Sequence, residues 1–216
     1  MDRANQTKKP WAGTYIVIEG QDATGKDTQA ALLADYLKSQ GREVVCYAES
    51  GTGSDNEFVQ TIAKLNYGSA QNIDHRTRVL LYIVNRYEQW RQLAEPMLKK
   101  GGVVITARSW FSTLIYEGYA AGVSRSLIIR LNKEVMPEYY FRPDKSVIFT
   151  LSDEARAARL KAQSRPKEVW KSQPSDFQQK INAAYLKVAK DYNVPTLDAS
   201  GSIEEVQLAL RKLFNL

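Results

Sequence analysis

The chain has 216 residues, of which 44% are hydrophobic and 25% charged, a composition that suits one globular core. Its 30 Lys and Arg residues against 24 Asp and Glu residues give a net charge of +6, which suits anionic ligands such as nucleotides and would also suit nucleic acid, a less favoured partner. With one cysteine (Cys46) and one histidine (His75), an internal disulfide is excluded and a Cys/His structural zinc site lacks ligands.

Short apolar segments alternate with longer segments of helical periodicity along the chain. The predicted strands cover residues 15–18, 43–48, 103–106, 146–151 and 194–197. The predicted helices cover residues 25–39 and 74–100, and others begin near residues 110, 124, 153, 174 and 202. Because this alternation implies βαβ crossovers, we predict an α/β fold with a five-stranded parallel sheet flanked by helices in three layers.

The same pattern indicates how the chain is divided. We expect a flexible tail at residues 1–12, a single domain at residues 13–216, and a mobile lid at about residues 159–176, where the sequence is polar, basic and contains prolines. The first ten residues lack the apolar stretch of a signal peptide, and no run approaches the length of a membrane span. A cytoplasmic protein without a membrane partner is therefore expected.

A glycine-rich segment, GQDATGK at residues 20–26, follows the first predicted strand and opens the first predicted helix. In a phosphate loop, backbone N–H groups and the helix N-terminus surround phosphate oxygens, and the lysine neutralises the β- and γ-phosphates. An ordinary glycine turn with an incidental lysine is the alternative. The predicted ATP-binding residues of this segment and the next turn are Gly20, Gln21, Ala23, Thr24, Gly25, Lys26, Asp27 and Thr28.

The residue after the loop lysine is normally Ser or Thr, whose hydroxyl binds Mg²⁺, but here it is Asp27. A carboxylate is also a hard oxygen ligand for Mg²⁺, which makes Asp27 the candidate metal ligand. An acidic residue favoured by the helix dipole is an equally good interpretation.

Four segments in order resemble the thymidylate kinase family, over nearly the whole chain from about Tyr15. They are the loop at 20–26, NRYEQ at 85–89, TARSWFS at 106–112 with Tyr116 beyond it, and LDASGS at 197–202. The resemblance implies a P-loop kinase fold that uses ATP and Mg²⁺ to phosphorylate a deoxynucleoside monophosphate, with dTMP the first substrate to test. It also implies a homodimer formed through helices beside the sheet, although the apolar positions around Leu80 to Trp90 suit a core equally well.

The resemblance also implies roles for single residues. Asp22 would accept a hydrogen bond from the acceptor's 3′-hydroxyl, Tyr82 would stack on the base, and Arg86 would reach the base or phosphate. Arg108 would clamp the acceptor phosphate, and Tyr116 would close the sugar pocket against a 2′-hydroxyl. The remaining predicted substrate contacts are Glu49, Ser112 and Glu117, the predicted adenine-loop contacts are Ser200 and Gly201, and the predicted catalytic residues are Lys26, Arg108 and Arg165.

These roles have simpler alternatives. Tyr82 and Tyr116 also suit core positions, Arg86 also suits an exposed salt bridge, and the basic residues around Arg165 also suit a solvated surface. Arg108 has the best positional case, because open α/β sheets bind ligands at the carboxyl ends of their strands.

Three positions depart from the family pattern. Ala107 replaces an Asp before the arginine, residues 47–52 lack an arginine and a proline although Glu49 is kept, and Glu117 replaces an amide or hydroxyl. Two alternative functions therefore stay open. One is a kinase for another or a modified deoxynucleotide, or for a hydroxyl on DNA, and the other is a weakly active nucleotide-binding protein.

Overall fold

The computed structural model describes residues 10–67, 73–162 and 175–216 and contains a five-stranded sheet. Every adjacent pair in it is parallel, in the order β2-β3-β1-β4-β5, which confirms the predicted sheet. The strands are β1 (Thr14–Gly20), β2 (Val44–Ala48), β3 (Val103–Ala107), β4 (Lys145–Thr150) and β5 (Thr196–Asp198).

Helices connect the strands and cover the sheet. They are α1 (Lys26–Ser39), α2 (Glu57–Tyr67), α3 (His75–Gln89), α4 (Glu95–Lys99), α5 (Trp110–Thr113), α6 (Arg125–Val135), α7 (Asp153–Ala162), α8 (Ser175–Asp191) and α9 (Ile203–Phe214). A π-helical segment, Trp90–Ala94, joins α3 to α4, and a second one, Leu114–Ala120, extends α5. A 3₁₀ turn spans Glu138–Phe141.

The core has two halves, one on each face of the sheet. Tyr15 and Val17 of β1 face the half formed with α3, α5 and α8, whereas Ile16 and Ile18 face the half formed with α1 and α9. Successive side chains of a strand point to opposite faces, so a strand covered on both sides must be apolar throughout. This is why β1 is a continuous apolar run and why helices lie on both faces.

Helix α2 is absent from the elements predicted from sequence. Phe58, Val59, Ile62 and Ala63 follow helical spacing, and the Asn56 Oδ1 atom accepts a hydrogen bond from the Val59 N–H at 3.1 Å. This N-terminal cap and spacing were the signals that could have identified the helix.

The predicted N-terminal tail and the predicted lid both include residues outside the described ranges. Residues 1–9 and 163–174 are among these, so Arg165 and most of the predicted lid stay predictions. Trp11, inside the predicted tail, contacts Trp90 at a ring-centroid distance of 6.0 Å and Tyr139 at 5.2 Å. Within the described residues, none of the helices combines the length and apolar character that a membrane crossing requires.

Candidate active site

The loop between β1 and α1 has the backbone geometry of a phosphate cradle. Gly25, directly before α1, has φ +84°, and Gly20 has φ +151°. A Cβ at Gly20 would lie 2.9 Å from Thr24 Oγ1 and 3.0 Å from the Phe149 carbonyl oxygen, so glycine is required there. The Thr24 hydroxyl donates to the Gln21 carbonyl at 2.8 Å and closes the loop.

Two cations converge on one carboxylate at the mouth of this loop. Lys26 is only 4% exposed, and its Nζ atom lies 3.9 Å from Asp22 Oδ1 and 3.1 Å from Asp27 Oδ2. Asp22 also forms an ion pair with Arg108. Desolvation alone would raise the pKa of the Asp27 carboxyl. The Lys26 and Arg108 cations lower this pKa by more than desolvation raises it, so the net shift is below the ordinary value. Two cations, Lys26 and Arg108, and two carboxylates, Asp22 and Asp27, therefore lie together at this loop.

A cavity with an empty volume of about 690 Å³ lies between the loop and the segment after β5. Arg159 spans it, because its guanidinium donates to the Ala199 carbonyl at 2.8 Å and to the Ala23 carbonyl at 3.4 Å. Gly201 lines the cavity, whereas the Ser200 hydroxyl donates to an Asp198 carboxylate oxygen at 2.9 Å, and contact of either residue with ATP stays a prediction. Of the predicted loop residues, those lining the cavity are Ala23, Thr24, Gly25 and Thr28.

A second cleft, with an empty volume of about 440 Å³, lies on the other side of Asp22. Its walls come from the ends of β2 and β3, from α2 and α3, and from the π-helical segment after α5. The predicted site residues that line it are Asp22, Glu49, Tyr82, Arg86, Arg108, Ser112 and Tyr116, and those not predicted are Ser50, Tyr67, Ser109 and Thr113. Residues far apart in sequence thus form one aromatic and charged cleft beside the loop.

Arg108 occupies the first position after β3 with a strained backbone. Its φ is +75°, which costs free energy for a residue with a Cβ, and its N–H donates to the Ile18 carbonyl at 2.9 Å. Its guanidinium donates to Asp22 and to the Ser112 hydroxyl at 3.1 Å, and lies 5.6 Å from the centre of the Tyr116 ring. The backbone turn and these contacts hold the cation at the junction of loop and cleft.

Glu19, which was not among the predicted site residues, is the buried anchor of this junction. It is 1% exposed, and its carboxylate accepts hydrogen bonds from the Ser109 N–H at 2.6 Å, the Ser112 hydroxyl at 2.9 Å and the Gly20 N–H at 3.2 Å. Tyr185 of α8 donates to it at 3.4 Å. A carboxylate at the end of an otherwise apolar strand was the available sequence signal, since buried charges need dedicated partners.

Arg86 and Glu49 form a buried ion pair at the base of the cleft. Both side chains are 3% exposed, and Arg86 Nε donates to Glu49 at 2.8 Å while its other nitrogens donate to Asn132 at 2.7 Å and Thr113 at 3.0 Å. Burial raises the pKa of Glu49, and the Arg86 cation opposes that rise. This buried ion pair holds α3 and the end of β2 in place. Because the Arg86 nitrogens already donate to protein partners, direct contact of Arg86 with an acceptor stays a prediction.

The flanking residues of the NRYEQ segment hold the loop after β2. The Asn85 amide donates to the Ser50 carbonyl at 3.0 Å, and the Gln89 amide donates to the Glu49 carbonyl at 3.2 Å. Gly51, at φ +76°, lies so close to Asn85 that a Cβ there would be 2.5 Å from its amide nitrogen. This segment therefore shapes one wall of the cleft through the backbone.

Glu117 follows Tyr116 in sequence, but its side chain contacts His75 and does not line the cleft. Its side chain is fully buried, and its Oε2 atom lies 2.6 Å from His75 Nδ1 at the start of α3. The residues that line the cleft do not include it. Any contact between Glu117 and the acceptor stays a prediction.

No group of three or more His, Cys, Asp or Glu side chains in the described ranges is arranged to hold a metal ion. The loop offers the single Asp27 carboxylate, 62% exposed, at the start of α1. Mg²⁺ is commonly held by one or two carboxylates together with waters and substrate phosphates, so this donor set fits such an ion.

A parallel five-stranded sheet, a glycine loop ending in a buried lysine at the start of a helix, and a second cleft across one carboxylate together define the P-loop nucleotide kinases. Comparisons with known proteins agree with this class. The family model described as thymidylate kinase matches residues 18–210, so the chain belongs to the thymidylate kinase family. Members of this family are nucleoside monophosphate kinases.

Individual relatives match over almost the whole chain. A thymidylate kinase of Caldicellulosiruptor saccharolyticus is 33% identical over 94% of this chain and 96% of its own, and a probable thymidylate kinase of Thermococcus onnurineus is 31% identical over 89% and 92%. A solved thymidylate kinase structure from Ehrlichia chaffeensis aligns with a TM-score of 0.71 and 26% identity, covering 94% of this chain and 99% of that one.

Proposed function

We propose that this protein transfers the γ-phosphoryl group of ATP to dTMP, giving dTDP. The observation that carries the proposal is the convergence of Lys26 and Arg108 on Asp22, with the larger cavity on one side and the aromatic cleft on the other. The ATP phosphates would lie in the loop, and the acceptor phosphate would replace Asp22 as a partner of Arg108. The family relationship supports this acceptor.

The chain's own residues would act mainly by positioning and by electrostatic stabilisation. In phosphoryl transfer, negative charge spreads over the equatorial oxygens of the transferred group, so cations already in place lower the barrier without reorganisation. Lys26 would stabilise that charge from the loop, and Arg108 would hold the attacking phosphate in line. The buried surroundings of both strengthen these interactions.

Mg²⁺ would be held by Asp27 together with waters and ATP phosphates, and when bound it neutralises charge on the β- and γ-phosphates. Ala107, 2% exposed, lies in the half of the core that contains α1, on the same side of the sheet as Asp27. A carboxylate moved from position 107 to position 27 would keep the charge of the site. We propose that Asp27 compensates in this way for Ala107.

This compensation predicts how the paired variants behave. Asp27→Ser should lose turnover and weaken the Mg²⁺ dependence of ATP binding, and Asp27→Ser with Ala107→Asp should regain part of the turnover, since neighbouring sites couple. Ala107→Asp alone is the matched control and should give no more turnover than the parent. Its thermal unfolding measures how much stability a charge in this apolar cluster removes from the double variant. The compensation is wrong if Asp27→Ser alone matches or exceeds the parent in kcat.

The substrate is tested by measuring ATP consumption against a set of nucleosides, nucleoside monophosphates and DNA. We expect dTMP to give the highest kcat/KM.

We also expect 2′-deoxy acceptors to be preferred over the matching ribonucleotides, because the buried Tyr116 ring would stand where the 2′-hydroxyl must go. Tyr116→Phe serves as control, since it removes the hydroxyl but keeps the ring and should keep the preference. Equal kcat/KM for deoxy and ribo forms contradicts the assignment of Tyr116.

A homodimer is part of the proposal. Exposed apolar side chains lie on α2 and α3, namely Phe58, Leu80, Val84 and Tyr87. Trp90, in contrast, is 1% exposed and belongs to the core. An exposed apolar face on two adjacent helices supports self-association, and a cytoplasmic location accords with nucleotide substrates.

A further inference from the structure

A pair formed by a half-exposed histidine and a buried carboxylate lies behind the acceptor cleft and joins α3 to the second π-helical segment. His75 Nδ1 is 2.6 Å from Glu117 Oε2, with the His75 side chain 42% exposed and Glu117 fully buried. Within the described part of the chain, Glu117 Oε1 has no hydrogen-bond partner. Because a buried carboxylate without compensation is costly, the conformation around Glu117 depends on His75.

The pair is connected directly to both aromatic walls of the cleft. Tyr116, the residue before Glu117, forms one wall, and Tyr82, seven residues and about two helical turns after His75, forms the other. The π-helical segment packs against α3, and the Ala121 N–H donates to the Tyr116 carbonyl at 3.0 Å. Breaking the pair would therefore remove one of the contacts that set the separation of the two walls.

A second contact ties α3 to the end of α2. The buried Arg78 guanidinium donates to the Asn66 carbonyl, and Tyr67, which follows Asn66, packs edge-on against Tyr82 at 6.0 Å. Tyr67, which also lines the cleft, is therefore held by contacts to the same helix that carries His75 and Tyr82.

We propose that His75 and Glu117 are a positioning pair that sets the separation of the Tyr82 and Tyr116 walls, so that binding of the acceptor monophosphate depends on pH through this pair. This role rests on the proposed function, because it concerns the acceptor cleft of that reaction. Neither residue would touch the reacting atoms.

The direction of the pH dependence follows from the surroundings of the pair. The hydrogen bond to Glu117 raises the pKa of His75 above its ordinary value of 6.5, and burial raises the pKa of Glu117 while His75 opposes that rise. The other charged or titratable groups that face the pair are Asp74, Arg78 and Tyr82.

Both shifts act in the same sense. The folded pair keeps its protons to a higher pH than the unfolded chain does. Its contribution to stability is therefore complete only below 4.5, the ordinary pKa of Glu117, and is lost as pH rises through the folded pKa of each group. Above pH 6.5, loss of the His75 proton leaves the buried Glu117 charge without the cation that it contacts, with Arg78 as the remaining cation that lowers its pKa. The cleft should then bind the acceptor more weakly as pH increases.

The test compares KM for thymidine monophosphate, KM for ATP, and kcat across this pH window in the parent, Glu117→Gln and His75→Gln. In the parent, KM for the monophosphate should rise by about fivefold or more, the low end of typical coupling between sites, with kcat and KM for ATP nearly unchanged. Both variants should show a flatter profile. Because the acceptor phosphate itself titrates near pH 6, the difference between proteins is the quantity to compare.

Glu88→Gln is the matched control, since it removes a carboxylate that pairs with Arg91 on the surface of the same helix, and it should keep the parental profile. Thermal unfolding at each pH shows whether each variant is folded, and Glu117→Gln should gain stability relative to the parent as pH rises. Parallel profiles for the parent and both folded variants overturn the positioning role while leaving the proposed function standing. If the parent binds no thymidine monophosphate at any pH, the proposed function fails and this role with it.

Discussion

Replacing Lys26 with alanine is expected to lower kcat by about 10²- to 10³-fold, with a much smaller change in ATP affinity. The reason is that the lysine interacts more strongly with the transition state, in which charge spreads over the transferred phosphoryl group, than with bound ATP. Steady-state kinetics together with direct measurement of ATP binding separates the two quantities. The buried position of Lys26, 4% exposed, strengthens its interaction with phosphate.

Two further variants make this result interpretable. Lys26→Met keeps most of the side-chain volume and should lose as much kcat as Lys26→Ala, so the loss is assigned to the charge. Lys38→Ala removes a lysine from the last turn of the same helix, where it forms an exposed pair with Asp35, and should keep parental kcat. A folded Lys26→Ala protein with parental turnover would rule out the phosphate-loop assignment.

Replacing Arg108 with alanine is expected to raise KM for the monophosphate by about a hundredfold or more. Two charge-assisted hydrogen bonds to a phosphate contribute about 3 kcal/mol or more, which corresponds to that factor. ATP binding should be little changed, because the cavity proposed for ATP is lined by other residues. Calorimetric titration of each nucleotide measures the two affinities separately.

Arg108→Lys distinguishes charge from shape, since a lysine keeps the charge but lacks the planar fork, and it should recover only part of the affinity. Arg142→Ala is the matched control, because this exposed arginine pairs with Glu138 at 2.7 Å away from the cleft. If Arg108→Ala weakens ATP binding and leaves monophosphate binding intact, the two nucleotide sites have been assigned in reverse.

Much of the fold could be predicted because its signals are local. Four of the five strands contain a short apolar run, and the observed β1 and β3 differ from prediction only at their ends. The π-helical segments could not be predicted, because one extra residue in a turn leaves the apolar spacing of residues 74–100 nearly unchanged. Helix α2 was missed although Phe58 and Ile62 carry its spacing.

The residues of the candidate site could be predicted where they belong to a motif at the end of a strand or on the adjoining helix. Seven of the predicted substrate contacts line one cleft, because motifs at the ends of parallel strands meet at one edge of a sheet. Partners of buried charges were not predictable, since neither Glu49 with Arg86 nor Glu117 with His75 is close in sequence. Glu19 was missed for the same reason, because its partners Ser109 and Ser112 lie about 90 residues away.

The Glu19 carboxylate also bears on how the protein distinguishes acceptors by length. It lies one residue before the phosphate loop and binds Ser109, the residue after Arg108, so one buried group would fix the distance between the proposed donor and acceptor phosphate positions. A nucleoside would be one phosphate too short to reach both the arginine and the γ-phosphate. A nucleoside diphosphate would be one phosphate too long. In a P-loop kinase built this way, the rigid backbone would measure the number of phosphates on the acceptor, and the aromatic walls would recognise the base separately.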